Sequence, residues 1–580
     1  MTGTRADAAA ICAPLLDVSR PRDHVPIAWL VRATLAALLL LRIGSIYANV
    51  GITGVYVNTQ DRWLLLLGLL VGGLSMLPIA APDRRISLTV PMVWALALAL
   101  CLAAYAGHYA LLMGYDLSRD EQMAVFDAQI FAAGKLAYPL PAGWKSDASA
   151  LNLMFMLPIQ HPAAWVSAYL PGNALLRALV GLVADPALTG PLLSAAAVLF
   201  MWRAARLLWP GEREPQAVAV LLTALSGQVV MTGMTAYAMP AHLCLNMLWL
   251  WLFQQGRART DAGTLLVGFV ATGLHQPLPH PMFVAPFLLL LAWRREWRRL
   301  AAFVVVYGAI GVFWLAWPGH VQSLVSGPHS VALAQYGDIR ERVIDLLGSN
   351  RQPLPLMAAN LLRFCTWQAV PMVPLLIAGL FVARRDPVAM ALAAGLVLPI
   401  LLVSLIMAYQ GHGFGYRYFH GLIGNAALLA GFGWRSLAAH HERLRPMLWR
   451  ALILSGLVLL PVEATMAHRF YAPYAAADRR IAASGTDYVV IAADDAPFAQ
   501  DLVRNRPNLA NRPIRLAADG ISDPQALAAR ICQPGVRVGF PDTALTTPIW
   551  AYFGIFETVP RNVALSDRFT QAGCRVIRIQ

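Results

Sequence analysis

The chain has 580 residues, of which 58% are hydrophobic and only 13% charged, and its mean hydropathy is +0.56. A soluble chain of this length needs far more charge to cover its surface, so an ordinary soluble globular protein is excluded. The net charge of +14 does not point to nucleic acid: the arginines stand mostly at the ends of apolar runs, no basic stripe interleaves with aromatics, and the only lysines are Lys135 and Lys145.

The apolar runs are about 18–24 residues long, the length that crosses ~30 Å of hydrocarbon. The first follows a polar stretch and is not followed by a small-residue cleavage site, so it reads as a retained span rather than a removed signal peptide. Residues 1–26, which carry Arg5, Arg20 and Arg22, read as a cytoplasmic tail. Spans are then expected over about residues 27–47, 63–80 and 89–113, with Arg84 and Arg85 marking the inner turn between the second and third. A long outer segment follows over residues 114–185. It is polar at first and semi-apolar from Leu151, which suits interfacial helices.

The next span, about residues 186–209, returns inside at Arg203, Arg206 and Arg213. Later inner turns carry Arg257 and Arg259, then Arg294, Arg295, Arg298 and Arg299, then Arg384 and Arg385, then Arg443 and Arg445. Between them, residues 234–240, 274–281 and 409–420 form outer segments with few basic residues. The alternation closes without a parity error and gives about thirteen spans. The stretch between Arg259 and Arg294 is too short for two full spans of about 20 residues each. Two short helices meeting at a bend over residues 277–281 fit it, provided protein or a water-filled cavity covers the broken backbone.

From about residue 465 the character changes. Short β runs, Asp487-Tyr-Val-Val-Ile, Val536-Arg-Val-Gly-Phe and Cys574-Arg-Val-Ile-Arg-Ile, alternate with polar helical stretches. The expected fold class is therefore an all-α polytopic membrane protein, residues 27–464, followed by a small α/β domain over residues 465–580. Parity places that domain outside. Of the six cysteines, only Cys532 and Cys574 fall in it. An oxidising compartment favours a disulfide between them, with two buried free thiols as the alternative.

Candidate chemistry concentrates in the outer segments. The stretch Tyr115-Asp-Leu-Ser-Arg-Asp-Glu-Gln places an acidic cluster at the start of a helix, and Asp120 and Asp127 share one of its faces. Ser118 and Glu121 match a capping box, which supplies a structural reading of Glu121 but leaves Asp116 and Asp120 unexplained. A carboxylate held at a cavity of this kind suits a general base for an acceptor hydroxyl. His242, His275 and His280 stand beside apolar runs, where polar groups are expensive and often functional. Their spacing matches no tight zinc motif, so no cofactor is assigned and a divalent metal stays an alternative. Arg417, in Gly411-His-Gly-Phe-Gly-Tyr-Arg-Tyr-Phe-His, suits bidentate recognition of a phosphate; a snorkelling arginine at the rim is the alternative.

These motifs resemble the GT-C superfamily of membrane glycosyltransferases, nearest to its protein O-mannosyltransferase and lipid A aminoarabinose transferase branch. Asp120-Glu121 with the trailing Gly134-Lys-Leu-Ala-Tyr-Pro, His161-Pro162 before an apolar helix, and Arg417-Tyr418 before a late apolar run carry the resemblance, which covers roughly residues 89–465. Two extra spans before the acidic loop, His242 in place of a frequent acidic residue, and His275-Gln276 in place of a frequent Thr-Lys depart from the pattern. The resemblance implies a polyprenyl-phosphate sugar donor entering from membrane lipid, and a glycan, lipid or protein acceptor on the outer face. It implies Asp120 as base with Glu121 and Asp116 beside it, attack at the sugar C1 with inversion, and Arg417 on the departing phosphate. Tyr418, His161, His242, His275, His280 and Lys145 complete the expected substrate-binding set. A membrane transporter and a non-catalytic envelope-assembly protein are the alternative functions, and an inner (plasma) membrane location is expected.

The arginine alternation generates a direct test. A reporter active only in the outer compartment should be active when fused after Gln580 and silent when fused after Arg385; the reverse result overturns the assigned orientation.

Overall fold

In lipid a backbone amide finds no water, so leucine- and alanine-rich runs satisfy their hydrogen bonds internally as helices. The computed structural model describes residues 25–48, 51–79, 84–152, 154–332, 348, 352–406, 409–441, 443–492, 498–554 and 563–580. The expected cytoplasmic tail lies, through residue 24, outside the described residues.

Among the described residues, six helices, Ile27–Ser45, Val90–Ala110, Pro186–Leu208, Trp297–Val325, Pro387–Ile406 and Leu444–Ala483, are long and apolar enough to cross a membrane. Arg213–Ala224 and Gly227–Gly233, bent by 49°, make a seventh if counted as one span. The chain is a multi-pass membrane protein. The expectation of about thirteen spans counts further apolar runs as crossings, and several of these fold as shorter helices. Met239–Phe253 and Pro279–Trp293 have 15 residues each and Met372–Ala383 has 12. At 1.5 Å per residue these reach about 18–22 Å, short of ~30 Å. Ala258–Thr272 and Pro279–Trp293 meet at the turn expected between them.

Outward faces are apolar, with Leu40 68% and Val312 71% exposed, as a lipid-facing surface requires. Ile423–His440 is buried along almost its whole length. It crosses Met372–Ala383 at glycines: a Cβ added at Gly379 would fall 2.0 Å from the Leu429 carbonyl oxygen, and one at Gly433 would fall 2.2 Å from that of Leu375. Small residues are what allow two membrane helices to approach this closely. Arginines pair with acids of other segments: Arg299 with Asp261 at 2.8 Å, Arg435 with Glu212 at 2.7 Å, and Arg445 with Glu214 at 3.0 Å.

The segment over residues 114–185 holds the helices Arg119–Ala132 and Gly172–Gly181. Tyr138–Pro139 pairs antiparallel with Ala164–Trp165, and Ile159–Gln160 pairs with Val331–Ala332. Gly172–Gly181 is amphipathic and leaves Leu175 and Leu179 exposed.

The helix Leu460–Ala483 runs unbroken across the boundary expected at residue 465, so the α/β unit begins only with Tyr488–Ile491. Its four strands are all parallel, in the order Ile514–Ala517, Tyr488–Ile491, Arg537–Pro541, Arg575–Ile579. Parallel neighbours need crossovers; Pro524–Ile531 lies in the one from the Ile514–Ala517 strand to Arg537–Pro541, and Thr543–Tyr552 and Val563–Gln571 lie in the one to Arg575–Ile579. Cys532, which ends the first of these helices, and Cys574, which precedes the last strand, are disulfide-bonded. The unit docks on the 114–185 segment: Ser149 donates to the Gly520 carbonyl at 2.6 Å, Trp165 to that of Pro507 at 3.0 Å, and Arg530 pairs with Asp147 at 2.7 Å.

One ion pair is sealed inside the helices. Asp61 and Arg363 are both fully buried, 3.4 Å apart. Asp61 also accepts from Thr366 at 3.2 Å and Trp367 at 3.0 Å, and Arg363 donates to the Gly413 carbonyl at 2.6 Å. Removing one member strands the other's charge, at a cost of about 3–5 kcal/mol. Arg363→Met should therefore lower the thermal midpoint in detergent by several degrees, and adding Asp61→Asn should restore part of the loss. A double variant no more stable than the single one rejects the pairing.

Candidate active site

The helix Arg119–Ala132 begins at Ser118, whose hydroxyl accepts the Glu121 N–H at 3.3 Å while the Glu121 carboxylate faces the Ser118 N–H at 3.4 Å. This is the reciprocal cap that the sequence pattern indicates. Glu121 does more than cap. It accepts the Ala236 N–H at 3.2 Å and the Tyr471 hydroxyl at 2.8 Å, so it pins this helix to the turn before Met239–Phe253 and to Leu460–Ala483. Burial, with Asp116 nearby, pushes its carboxyl up to about 8.

Asp120 points elsewhere, because consecutive helical residues lie about 100° apart. It forms an ion pair with Arg417 and accepts the Tyr169 hydroxyl, and the His275 Nε2 lies 4.0 Å away. Burial alone would raise its carboxyl, but the Arg417 charge outweighs burial and the net shift is downward. Burial pushes His275 down to about 4, so near neutral pH it contributes no charge and Arg417 carries the effect. Tyr169 stacks on His275 with ring centroids 3.9 Å apart. The loop that presents Tyr169 is held by Asp127, which accepts both the Ser167 N–H, at 3.0 Å, and the Ser167 hydroxyl. Burial pushes Asp127 up to about 7.

Arg417 opens the short turn Arg417–Leu422 and is itself buried. Its N–H donates to the Gln410 side chain at 2.8 Å, its guanidinium donates to the Gln410 carbonyl, and it sits over the Tyr237 ring at 4.9 Å. The preceding Gly411-His-Gly-Phe-Gly run wraps it. Gly413, at φ +142°, lies so close to the side chain that an added Cβ would fall 2.3 Å from the Arg417 Cδ. Only glycine permits that approach.

Arg417 and Tyr418 line a cavity with His242, Asn246, His275 and Gln276. Its volume is about 30 Å³, room for a water or two. The buried nitrogens Arg417 Nε, His242 Nδ1 and His275 Nε2 have no hydrogen-bond partner among the described residues. The arrangement thus offers donor groups to an incoming polar or anionic ligand beside an ionised carboxylate.

Among the residues singled out from the sequence, the structure brings Asp120, Arg417, Tyr418, His242 and His275 together. Glu121 is adjacent in sequence but faces the helix bundle. Asp116 pairs with Arg504 at 3.3 Å. His280 is fully buried between Asn246 at 2.8 Å and Tyr307 at 2.9 Å, a satisfied core histidine that does not line the cavity. His161 is exposed in a turn at φ +51°, with its carbonyl accepting from Ser330 at 2.7 Å. Lys145 lies in the segment that docks on the α/β unit, beside Ser146 and Asp147, which bond to Ser522 and Arg530. Tyr169, Tyr237, Asn246 and Gln410 were not legible, since each reaches the site through the tertiary fold; the Gly-x-Gly-x-Gly run was the one available local signal. Among the described residues, no three His, Cys, Asp or Glu side chains group as metal ligands.

Fold and site together define a multi-pass membrane protein with a carboxylate–guanidinium pair at a cavity between its helices. No protein-family model matches the chain, and no curated protein matches it. Among solved structures it is similar to ArnT from Cupriavidus metallidurans bound to undecaprenyl phosphate, with 16% identity over 84% of this chain and 90% of that one and a TM-score of 0.41. It is also similar to the archaeal oligosaccharyltransferase AglB from Archaeoglobus fulgidus in complex with an inhibitory peptide and a dolichol-phosphate, with 10% identity over 72% of this chain and 65% of that one and a TM-score of 0.39.

The burial of Glu121 generates a pH test. Its carboxyl titrates at about 8 in the folded chain against 4.5 when solvated, so between those values the folded chain holds a proton that the unfolded chain has released. Its contribution is fully present below the unfolded value and is lost as pH rises through the folded one. Glu121→Gln removes that titration while keeping a neutral side chain of the same shape. The denaturation midpoint of the wild type should fall more steeply than that of the variant between about pH 5 and 8.5. Equal slopes reject a buried, protonated Glu121.

Proposed function

We propose that the protein is a membrane glycosyltransferase that moves a sugar from a polyprenyl-phosphate donor to a glycan, lipid or protein acceptor on the outer face of the membrane. The observation that carries this reading is the ion pair of Asp120 and Arg417 at the rim of a donor-lined cavity. In the resting state each group occupies the other. A donor phosphate entering the cavity competes for the guanidinium, which grips phosphate bidentately. Once Arg417 turns to the phosphate, Asp120 loses the charge that holds its carboxyl down, and its proton affinity rises.

The released carboxylate then takes the proton of the acceptor hydroxyl as that oxygen attacks the sugar C1. The new bond forms on the face opposite the breaking C1–O bond, so the configuration inverts. The electron pair of the broken bond leaves on the polyprenyl phosphate, which Arg417 stabilises. Tyr169 and His275 keep Asp120 oriented through the exchange. The resting cavity is too small for a sugar, so donor binding opens it. In this reading the shorter apolar helices complete about thirteen crossings, the N-terminus is cytoplasmic, and the α/β unit is periplasmic or extracellular.

The test is transfer from a polyprenyl-phosphate sugar by purified variants. Asp120→Asn should lower kcat by ~10²–10⁴-fold with folding intact. Arg417→Lys should also lower it, because an ammonium cannot reproduce a two-point phosphate grip. Glu121→Gln should be the mildest of the three. Full activity in Asp120→Asn would remove Asp120 as the base.

A further inference from the structure

The α/β unit touches the candidate site at one buried carboxylate. Asp501, in the short turn Ala499–Leu502, is only 2% exposed. One of its oxygens accepts from, or pairs with, the His412 Nε2 at 2.9 Å. His412 belongs to the glycine run that wraps Arg417. The other oxygen lies 3.9 Å from the Arg119 Nε, and Arg119 immediately precedes Asp120. The Asp501 carbonyl accepts from Gln122 at 2.6 Å and from Tyr115 at 2.9 Å, and Arg119 also donates to the carbonyls of Val503, at 2.8 Å, and Gln500. The contacts close a circuit: Asp120 to Arg417 directly, Arg417 back through its loop to His412, His412 to Asp501, and Asp501 to Arg119 beside Asp120.

We infer that Asp501 is a positioning residue for the Asp120–Arg417 site: by tying His412 to Arg119, the α/β unit holds the two halves of the pair in register. The inference rests on the reading of Asp120 and Arg417 as the transfer site. It assigns the α/β unit a role there beyond docking. The reason is geometric. The two halves come from segments almost 300 residues apart (297 between Asp120 and Arg417), one in the first turn of a helix and the other at the start of a short turn, neither in the middle of a packed helix. The guanidinium loop carries three glycines at positive φ, Gly411, Gly413 and Gly415, and needs external bonds to stay in one conformation. His412 supplies one such bond, and Asp501 is its partner. A misplacement of about 1 Å at such a site costs on the order of 10²-fold in rate.

The experiment uses the full-length protein and reads two quantities. Hydrogen exchange is followed in residues 115–122 and 410–417 of Asp501→Ala, Asp501→Asn and Arg530→Ala, and kcat and donor KM are measured with a polyprenyl-phosphate sugar. Arg530→Ala breaks a different docking contact, the pair with Asp147, and leaves the circuit intact. Asp501→Ala should speed exchange about tenfold in both segments and lower kcat ~10–100-fold at an unchanged donor KM. Asp501→Asn, which keeps an acceptor for His412 but loses the charge facing Arg119, should fall between it and the wild type. Arg530→Ala should stay within about twofold of wild type in both readings.

Unchanged exchange in either segment overturns the inference, and so does equal loosening by Arg530→Ala, which would make the effect one of docking in general. Should Asp501→Ala unfold the sheet, seen as lost protection in residues 488–491 and 537–541, Asp501→Asn decides in its place. A wild-type protein with no transfer activity rejects the glycosyltransferase reading, while the exchange data still decide whether Asp501 positions the pair.

Discussion

A charge pair almost withdrawn from water is the constraint around which this protein is arranged. Asp120 is 13% exposed and Arg417 7%, and neither could stand there alone, because stripping water from an unpaired ion costs several kcal/mol. Their mutual attraction offsets that cost only if both are held still and their remaining polar atoms are met. Tyr169 meets the carboxylate, and Gln410 meets Arg417 twice, its carbonyl accepting from the guanidinium and its side chain from the backbone N–H. Each of these partners is itself fixed, Tyr169 through Ser167 and Asp127, and the Gln410 loop through Arg363 and His412. The bends that shorten the middle helices follow from the same need. A cavity lined by His242, His275 and Gln276 can exist among apolar spans only where the backbone turns away and exposes polar groups to it.

Two adjacent acids take opposite roles because a helix sends them in different directions. Asp120 faces a guanidinium and its carboxyl is held down, so it is ionised near neutral pH. Glu121 is buried against Tyr471 and two backbone N–H groups, and burial pushes its carboxyl up to about 8, so it is mostly protonated there. A protonated Glu121 can be buried cheaply while its carboxyl group still bonds Tyr471 and two backbone N–H groups. Divergent environments of this kind separate a candidate base from a structural acid without any change of residue type.

The parts of the site legible in the sequence were those written locally. The Ser118–Glu121 box, the helix after it and the bend near residue 277 each depend on a few consecutive residues, and the structure has them where the pattern put them. Arg417 stood out because an arginine beside a late apolar run needs a reason. Tyr169 and Tyr237 did not stand out, because a tyrosine in a semi-apolar stretch has many uses and its partner lies far along the chain. His280 and His242 look alike in sequence, yet one is satisfied inside the core and the other lines the cavity, a difference that only packing creates. Counting spans meets a related limit: hydropathy measures how apolar a run is, and a 12- or 15-residue helix can be as apolar as a full crossing. The composition changes near residue 465 without a break in the helix, because Leu460–Ala483 turns polar without ending there.

The α/β unit shows why an outlying domain need not be an appendage. Its sheet shares an apolar core with the 114–185 segment, Val490, Leu516 and Phe540 packing in one cluster with Phe126 and Trp165. The turn Ala499–Leu502 is different, since it enters a crevice between the acidic helix and the glycine loop and fills it with a carboxylate rather than an apolar plug. A leucine there would bury more apolar area, but it would leave Arg119 without a counter-charge and the His412 Nε2 without its carboxylate, each at the cost of an unmatched buried polar group. Asp501 satisfies both at once. The geometry it fixes is the relative placement of two segments that the membrane helices alone approach from opposite ends of the chain.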